Sequence, residues 1–178
     1  MNTPILVETK RLRLREFNME DLEALTLLDS DPEVMRYISD GRPREANVIE
    51  SSLKLTLEYY RNHPGLGVWA NELRDGTMIG WACLKNLDKT EEIEVGYRYY
   101  KAHWGQGYAT EAAQALVQHG FESIELQEIV GITHPGNLAS QRVLQKAGLQ
   151  PDGSGHYYEA DCLRFLIKAE DSKAGIQP

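Results

Sequence analysis

Two glycines one residue apart, running straight into an alanine-rich helix, mark the segment of this chain best suited to hold an anion: His103-Trp104-Gly105-Gln106-Gly107-Tyr108-Ala109-Thr110-Glu111-Ala112. Glycine tolerates positive φ, so consecutive N–H groups can converge on one anion. The helix start adds free N–H groups and the positive end of its dipole. An ordinary strand-to-helix turn has the same composition, and these ten residues alone leave both readings open.

Other residue types with chemical potential are sparse. Cys83 and Cys162 lie far apart and have no Cys or His at metal-ligand spacing, so they read as buried, reduced thiols. Neither is followed by a helix start or flanked by His, which would lower a thiol pKa, so neither is a candidate nucleophile. The five histidines are scattered, and His103 and His134 are assigned no role. A formal net charge of −8 argues against a nucleic-acid partner, which needs clustered Lys and Arg, and is compatible with a cationic acceptor such as an amine.

With 178 residues, 42% hydrophobic and 26% charged, the chain is expected to fold as one domain over residues 1–170, followed by a polar tail at 171–178. No apolar run approaches the ~20 residues of a membrane span, and the first ten residues lack a secretory-signal layout. A cytoplasmic location without a membrane partner is the default expectation.

Several elements must position the loop. Arg11-Leu12-Arg13-Leu14-Arg15 alternates as a half-buried strand does. Asn18 with Asp21 predicts a capped helix carrying Leu22, Leu25 and Leu28, and Asp31-Pro32-Glu33 predicts the start of another. A polar-rich helix is expected from Arg44 to Arg61, stopping at Asn62-His63-Pro64-Gly65. Strands follow over Leu66 to Glu72 and Met78 to Lys85 around an Asp75-Gly76 turn, with Ile79, Trp81 and Cys83 expected on one face. The return strand Glu91 to Tyr99 ends just before the glycine loop. Beyond it, Ala109, Ala112, Ala113, Leu116 and Gly120 give the helix a small-residue face for close packing on a sheet. Leu126 to Thr133 reads as a strand, Asn137 caps a helix ending at Gly148, and final strands are expected at Leu149 to Pro151 and Tyr157 to Ile167. The order is mixed α/β. A dinucleotide-binding Rossmann unit is excluded, because antiparallel hairpins precede the loop and Ala112 stands where its last glycine belongs.

Trp104-Gly105-Gln106-Gly107-Tyr108-Ala109 resembles the acetyl-CoA signature of the GCN5-related N-acetyltransferases: Gln or Arg, two residues, Gly, one residue, then Gly or Ala. Trp104 departs from the polar first position in the manner of the subgroup that includes ribosomal-protein N-terminal (RimJ/RimL-type) acetyltransferases. Thr9 to Arg15, Asp31 to Met35, Glu94-Val95-Gly96-Tyr97, and Asn137-Leu138-Ala139-Ser140 through Lys146-Ala147-Gly148-Leu149 resemble the same subgroup, over roughly residues 8 to 167. The resemblance implies a mostly antiparallel mixed sheet, flanked by helices, whose two central parallel strands splay apart. Here these would be Ile93 to Tyr99 and Glu128 to Thr133.

It also implies acetyl-CoA as cosubstrate, with no metal. Backbone groups of Tyr97, Arg98 and Tyr99 would pair with the pantetheine arm, and N–H groups of Gly105, Gln106, Gly107, Tyr108, Ala109 and Thr110 would cradle the pyrophosphate. Asn137 would lie beside the cofactor arm, although its cap role explains it equally. Lys146 is a candidate phosphate contact or simply a cation suited to its helix end.

Transfer requires a neutral amine. At pH 7 an α-amine costs about 1.4 kcal/mol to deprotonate and a lysine amine about 4.6 kcal/mol. Glu94 is the first candidate base, with Glu92 expected on the same strand face, and Glu159 the second. The N–H of Tyr97 or Arg98 is a candidate oxyanion donor, and Ser140 or Tyr157 a candidate acid for the departing thiolate. The resemblance favours a protein N-terminal α-amine as the acceptor. A small amine, or a CoA-binding module without catalysis, are the alternatives, and monomer and homodimer both remain open.

Overall fold

A computed structural model describes residues 3–173 of the chain. Strands β1 (Ile5–Glu8) and β2 (Leu12–Glu16) form the opening hairpin. In β2 the alternation is obeyed, Leu12 and Leu14 being fully buried. Asn18 and Asp21 form a reciprocal capping box over a single 3-10 turn, which continues into α1 (Leu22–Ser30). Asp31 accepts from the Glu33 N–H to start the short α2 (Pro32–Met35). Helix α3 (Ala46–Asn62) buries Ile49 and Leu53, one turn apart on its inner face.

Next come β3 (Gly67–Leu73), β4 (Met78–Asn86), β5 (Ile93–Tyr99), α4 (Tyr108–Glu122), β6 (Glu128–Thr133), α5 (Leu138–Lys146), β7 (Gln150–Tyr157), β8 (Ala160–Lys168) and α6 (Ala169–Lys173). Among the described residues the eight strands form one sheet in the order β1-β2-β3-β4-β5-β6-β8-β7. Every neighbouring pair is antiparallel except β5 and β6. This is the mixed α/β sheet expected.

Helices cover both faces. On one, Ala112, Ala113, Leu116 and Val117 of α4 and Leu144 of α5 pack with Leu84, Val95, Ile129 and Ile167 of the sheet. Gly120 costs α4 about 1 kcal/mol relative to alanine, but a Cβ there would meet Ile129 Cδ1 at 2.8 Å. The close approach it permits buries Leu116 completely, worth about 1.5–3 kcal/mol, so packing wins. On the other face Leu25, Ile49 and Leu53 pack with Phe17, Ala70 and Trp81.

Two expectations are corrected. Ile79 does not share a face with Trp81 and Cys83: it packs with Ala82 and Leu84 toward α4, whereas Trp81 packs toward α1 and α3. The cause is a register shift, Asn71 pairing Gly80 and Glu72 pairing Met78. The extra residue turns the strand over at Gly80, where φ is +153° and a Cβ would collide with the Arg98 carbonyl. At the C-terminal end, Tyr157 closes β7 rather than opening the last strand, and Tyr158 and Glu159 form the turn with φ of 49° and 63°. Gly153 and Gly155, between the two expected strands, lie in a strand that bulges between Pro151 and Ser154. Residues 169–173 form α6, and the rest of the expected polar tail, 174–178, lies outside the described residues.

Candidate active site

Strands β5 and β6 meet at one residue pair, Glu94 with Val130, and then part. From Val95 onward one edge of β5 has no ladder partner, although both strands are central in the sheet. A cleft of about 800 Å3 occupies the parting and reaches beneath α1, α2 and α3. Tyr97, Arg98 and Tyr99 line it from β5, Ile132 and Thr133 from β6, and Gly105, Gly107, Tyr108, Ala109 and Thr110 from the glycine loop.

The loop has the backbone its glycines imply, Gly105 at φ +71° and Gly107 at φ +82°. None of the six N–H groups from Gly105 to Thr110 donates to an acceptor among the described residues; the first helical bond runs from Glu111 N to the Gly107 carbonyl at 3.0 Å. Such a run of unpaired donors at a helix start fits a pyrophosphate. Trp104 explains its own departure from a polar residue. Its indole Nε1 donates to the Tyr99 carbonyl at 2.8 Å, tying the loop to the end of β5.

Residues remote in sequence also hold the loop. Glu111, in the first turn of α4, accepts from the Thr9 hydroxyl at 2.6 Å, the Arg11 N–H at 2.8 Å and Arg11 Nε at 2.6 Å. Arg11 Nη1 then donates to the Gln106 carbonyl at 2.8 Å, and its guanidinium lies over the Tyr108 ring. Burial pushes the Glu111 carboxyl up, but the bonds from Thr9 and Arg11 outweigh it and hold the group below its ordinary value. Sequence reading missed this strap, whose partners lie about a hundred positions apart. Gln106 contributes main chain only: its side chain turns back to the Ala102 carbonyl at 3.0 Å.

On the far wall, Asn137 caps α5 by accepting from the Ser140 N–H at 3.1 Å, and both residues line the cleft. The Tyr97 hydroxyl lies 3.0 Å from Ser140 Oγ and donates to the Ser140 carbonyl, also at 3.0 Å. Burial pushes the Tyr97 phenol up, so it stays protonated. Lys146 and Tyr157 also line the cleft. Glu159 does not; it stands exposed on the turn between β7 and β8.

Glu94 is 6% exposed and lines the cleft at the point where the strands part. Lys85 Nζ donates to its Oε1 at 2.8 Å, and the Tyr158 hydroxyl donates to the same oxygen. Burial works against the Lys85 ammonium, but the Glu94 carboxylate leads the charges that hold it above the usual lysine range. Burial and the same carboxylate push Tyr158 up to about 12. Glu92 belongs to a different cluster, held by both terminal nitrogens of Arg164 at 2.9 and 3.2 Å. The Arg98 side chain is also spoken for: Nη1 meets Asp29 Oδ1 at 2.5 Å, both side chains being 7% exposed. Cys83 lines the cleft, yet burial, reinforced by Glu94, pushes its thiol up to about 12 and leaves it inert.

Among the described residues no group of three or more His, Cys, Asp and Glu side chains could hold a metal ion. Nor is any described helix long and apolar enough to cross a membrane.

Comparison with known proteins agrees with this geometry. The family model described as an acetyltransferase (GNAT) domain matches residues 11–150. The FsC-acetyl coenzyme A-N(2)-transacetylase of Aspergillus fumigatus is 35% identical over 80% of this chain, and the match spans 64% of that relative's length. An acetyltransferase crystal structure from Agrobacterium tumefaciens superposes with a TM-score of 0.80 at 26% identity, covering 94% of this chain and 95% of its own. Mycobacterium smegmatis RimJ, solved in complex with CoA-disulfide, shares the fold with a TM-score of 0.75 at 21% identity, covering 90% and 83% of the two chains. A glycine loop with unpaired N–H groups, strands that part beside it and a family match over most of the sequence converge on one conclusion: the chain belongs to the GNAT family of acetyl-CoA-dependent N-acetyltransferases.

Proposed function

We propose that this acetyltransferase acts on an α-amine, foremost that of a protein N-terminus, with Glu94 as the base. The observation that carries the reading is the parting of β5 and β6, with unpaired loop donors beyond its open end and Glu94 at its closed end. In this reading the N–H groups from Gly105 to Thr110 hold the pyrophosphate, and the free edge of β5 at Tyr97, Arg98 and Tyr99 pairs with pantetheine amides. The thioester then lies toward Glu94.

Glu94 takes a proton from the incoming ammonium, directly or through a water, and the neutral amine attacks the thioester carbonyl. A backbone N–H of Tyr97 or Arg98 stabilises the developing oxyanion. The thiolate leaves with a proton from Ser140, which lies 3.0 Å from the Tyr97 hydroxyl and regains the proton that the nitrogen sheds as the amide forms; Tyr157 is the alternative donor. Asn137 fixes the start of α5 and so the position of Ser140, and Lys146 is available to a CoA phosphate. Glu94 is favoured over Glu159 because it lines the cleft and Glu159 does not. An α-amine is favoured over a lysine amine by the difference in deprotonation cost, about 3 kcal/mol or a rate factor of roughly 250.

A small-molecule amine is the second reading, supported by the name of the Aspergillus relative, an N(2)-transacetylase. Both are tested by following thiol release from acetyl-CoA with panels of N-terminal peptides and of small amines. Turnover on peptides confined to the α-amine supports the first reading, and turnover on small amines alone replaces it with the second. Acetyl-CoA binding without turnover on any amine would sink both.

A further inference from the structure

Resting on the assignment of Glu94 as the base, we infer that Lys85 and Tyr158 are positioning residues of the acetyl transfer, which keep the Glu94 carboxylate ionised and aimed into the cleft. Lys85 lies opposite Glu94 in the β4–β5 ladder, and its Nζ reaches both Glu94 Oε1 at 2.8 Å and the Tyr158 hydroxyl at 2.6 Å. Tyr158 donates to the same Glu94 oxygen while accepting from the Asp88 N–H at 2.8 Å. Its own N–H donates to Asp88 Oδ2 at 3.0 Å, so the turn between β7 and β8 is locked onto the turn between β4 and β5. Two donors therefore converge on Oε1. Glu94 Oε2 receives no hydrogen bond from a described residue and is the oxygen left for the acceptor.

Charge makes this more than a structural clasp. A carboxylate buried beside apolar walls takes up a proton readily unless a cation or donors oppose it. The ionisable groups around Glu94 are Lys85 and Cys83 from β4, Tyr158 from the turn, Cys162 from β8, and Arg98 farther along the same strand, already paired with Asp29. Lys85 is the cation in contact. The two cysteines stay neutral, burial raising both thiols. Removing Lys85 leaves Glu94 without a paired cation among the described residues.

The test is the pH dependence of kcat and kcat/KM for Lys85→Met, Lys85→Arg, Tyr158→Phe and Glu94→Gln, read by thiol release on an amine that the wild-type chain acetylates, with acetyl-CoA affinity measured by calorimetry. In Lys85→Met the low-pH break of the profile is expected to move up, with kcat at neutral pH down about tenfold or more as the carboxylate loses its aim at the acceptor. Acetyl-CoA affinity stays within about twofold, since neither residue belongs to the loop or the free edge of β5. Lys85→Arg restores the position of the break. Tyr158→Phe, which keeps the ring, moves it the same way by less. If Glu94→Gln slows turnover but the Lys85→Met and Tyr158→Phe profiles overlay the wild type, the inference is overturned and the assignment of Glu94 survives. If Glu94→Gln turns over normally, the assignment falls and takes the inference with it. Should Lys85→Met not fold, a shift in Tyr158→Phe with none in Lys85→Arg supports the inference, and unchanged Tyr158→Phe opposes it.

Discussion

Replacing Glu111 by Ala tests whether the strap from the first hairpin shapes the anion cradle. The carboxylate accepts three hydrogen bonds, from the Thr9 hydroxyl, the Arg11 N–H and Arg11 Nε. Bonds to a charged acceptor are worth about 1.5–3 kcal/mol each when buried, but here the side chains are 40% (Arg11) and 18% (Glu111) exposed. Solvent screening reduces the ion pair to about 1 kcal/mol or less, and the two remaining bonds add about as much again, for a total near 2 kcal/mol. The loss is felt at the loop, because Arg11 freed from Glu111 no longer holds the Gln106 carbonyl. If that order is what acetyl-CoA binding uses, the Kd rises roughly 30-fold, at 1.4 kcal/mol per decade. Calorimetric titration measures it, with thermal unfolding as the fold control. An unchanged Kd with a lowered Tm would refute the reasoning, for the strap would then stabilise the chain without shaping the cradle. Acidification acts in the same direction. The folded-state pKa of Glu111 is depressed, so its contribution is complete at neutral pH and is lost as the pH falls through the folded value, below the ordinary carboxylate range.

Other perturbations separate packing from chemistry. Gly107→Ala forces a Cβ into a left-handed conformation at φ +82°, costing about 1–2 kcal/mol and weakening acetyl-CoA binding about 5- to 30-fold. Gly153→Ala, at φ +86° with open space around its Cβ, should cost similar stability by urea unfolding and leave acetyl-CoA affinity unchanged. Asp29→Ala strands the buried Arg98 guanidinium, whose Nε already lacks a partner among the described residues; urea unfolding should report a loss of about 3–5 kcal/mol. Ser140→Ala is expected to lower kcat more than it raises the KM for acetyl-CoA, and an equal change in both would move Ser140 from chemistry to binding.

What was legible in the sequence was local. Alternation revealed β2, capping patterns placed α1, α2 and α5, and the glycines announced two positive φ values that the loop adopts. The sheet's departures from regularity were not legible, because a bulge at Gly80 leaves the composition of β4 unchanged while turning Ile79 to the opposite face. Strand β7 was hidden for the converse reason: Asp152-Gly153-Ser154-Gly155 has the residues of a loop and is held extended by pairing with β8. In the site, the glycine loop was readable because its residues are contiguous. The partners of Glu94, Arg98 and Glu111 were not, since Tyr158, Asp29 and Arg11 lie dozens of positions away and carry no periodic signal of their own.

The single ladder pair between Glu94 and Val130 also has a mechanical meaning. It divides the sheet into two plates, β1 to β5 and β6 to β8, that share one ladder pair and are joined elsewhere by α4, packed on Leu84 and Val95 of one plate and Ile129 of the other, and by side chains, Arg164 on Glu92 and Tyr158 on Glu94. In the proposed reading, a substrate arm bonded along the free edge of β5 acts as a rivet across that seam. Acetyl-CoA is therefore expected to stiffen the plates jointly, slowing amide exchange in β6 and β8 as well as in β5, while product release reopens the seam without unfolding either plate.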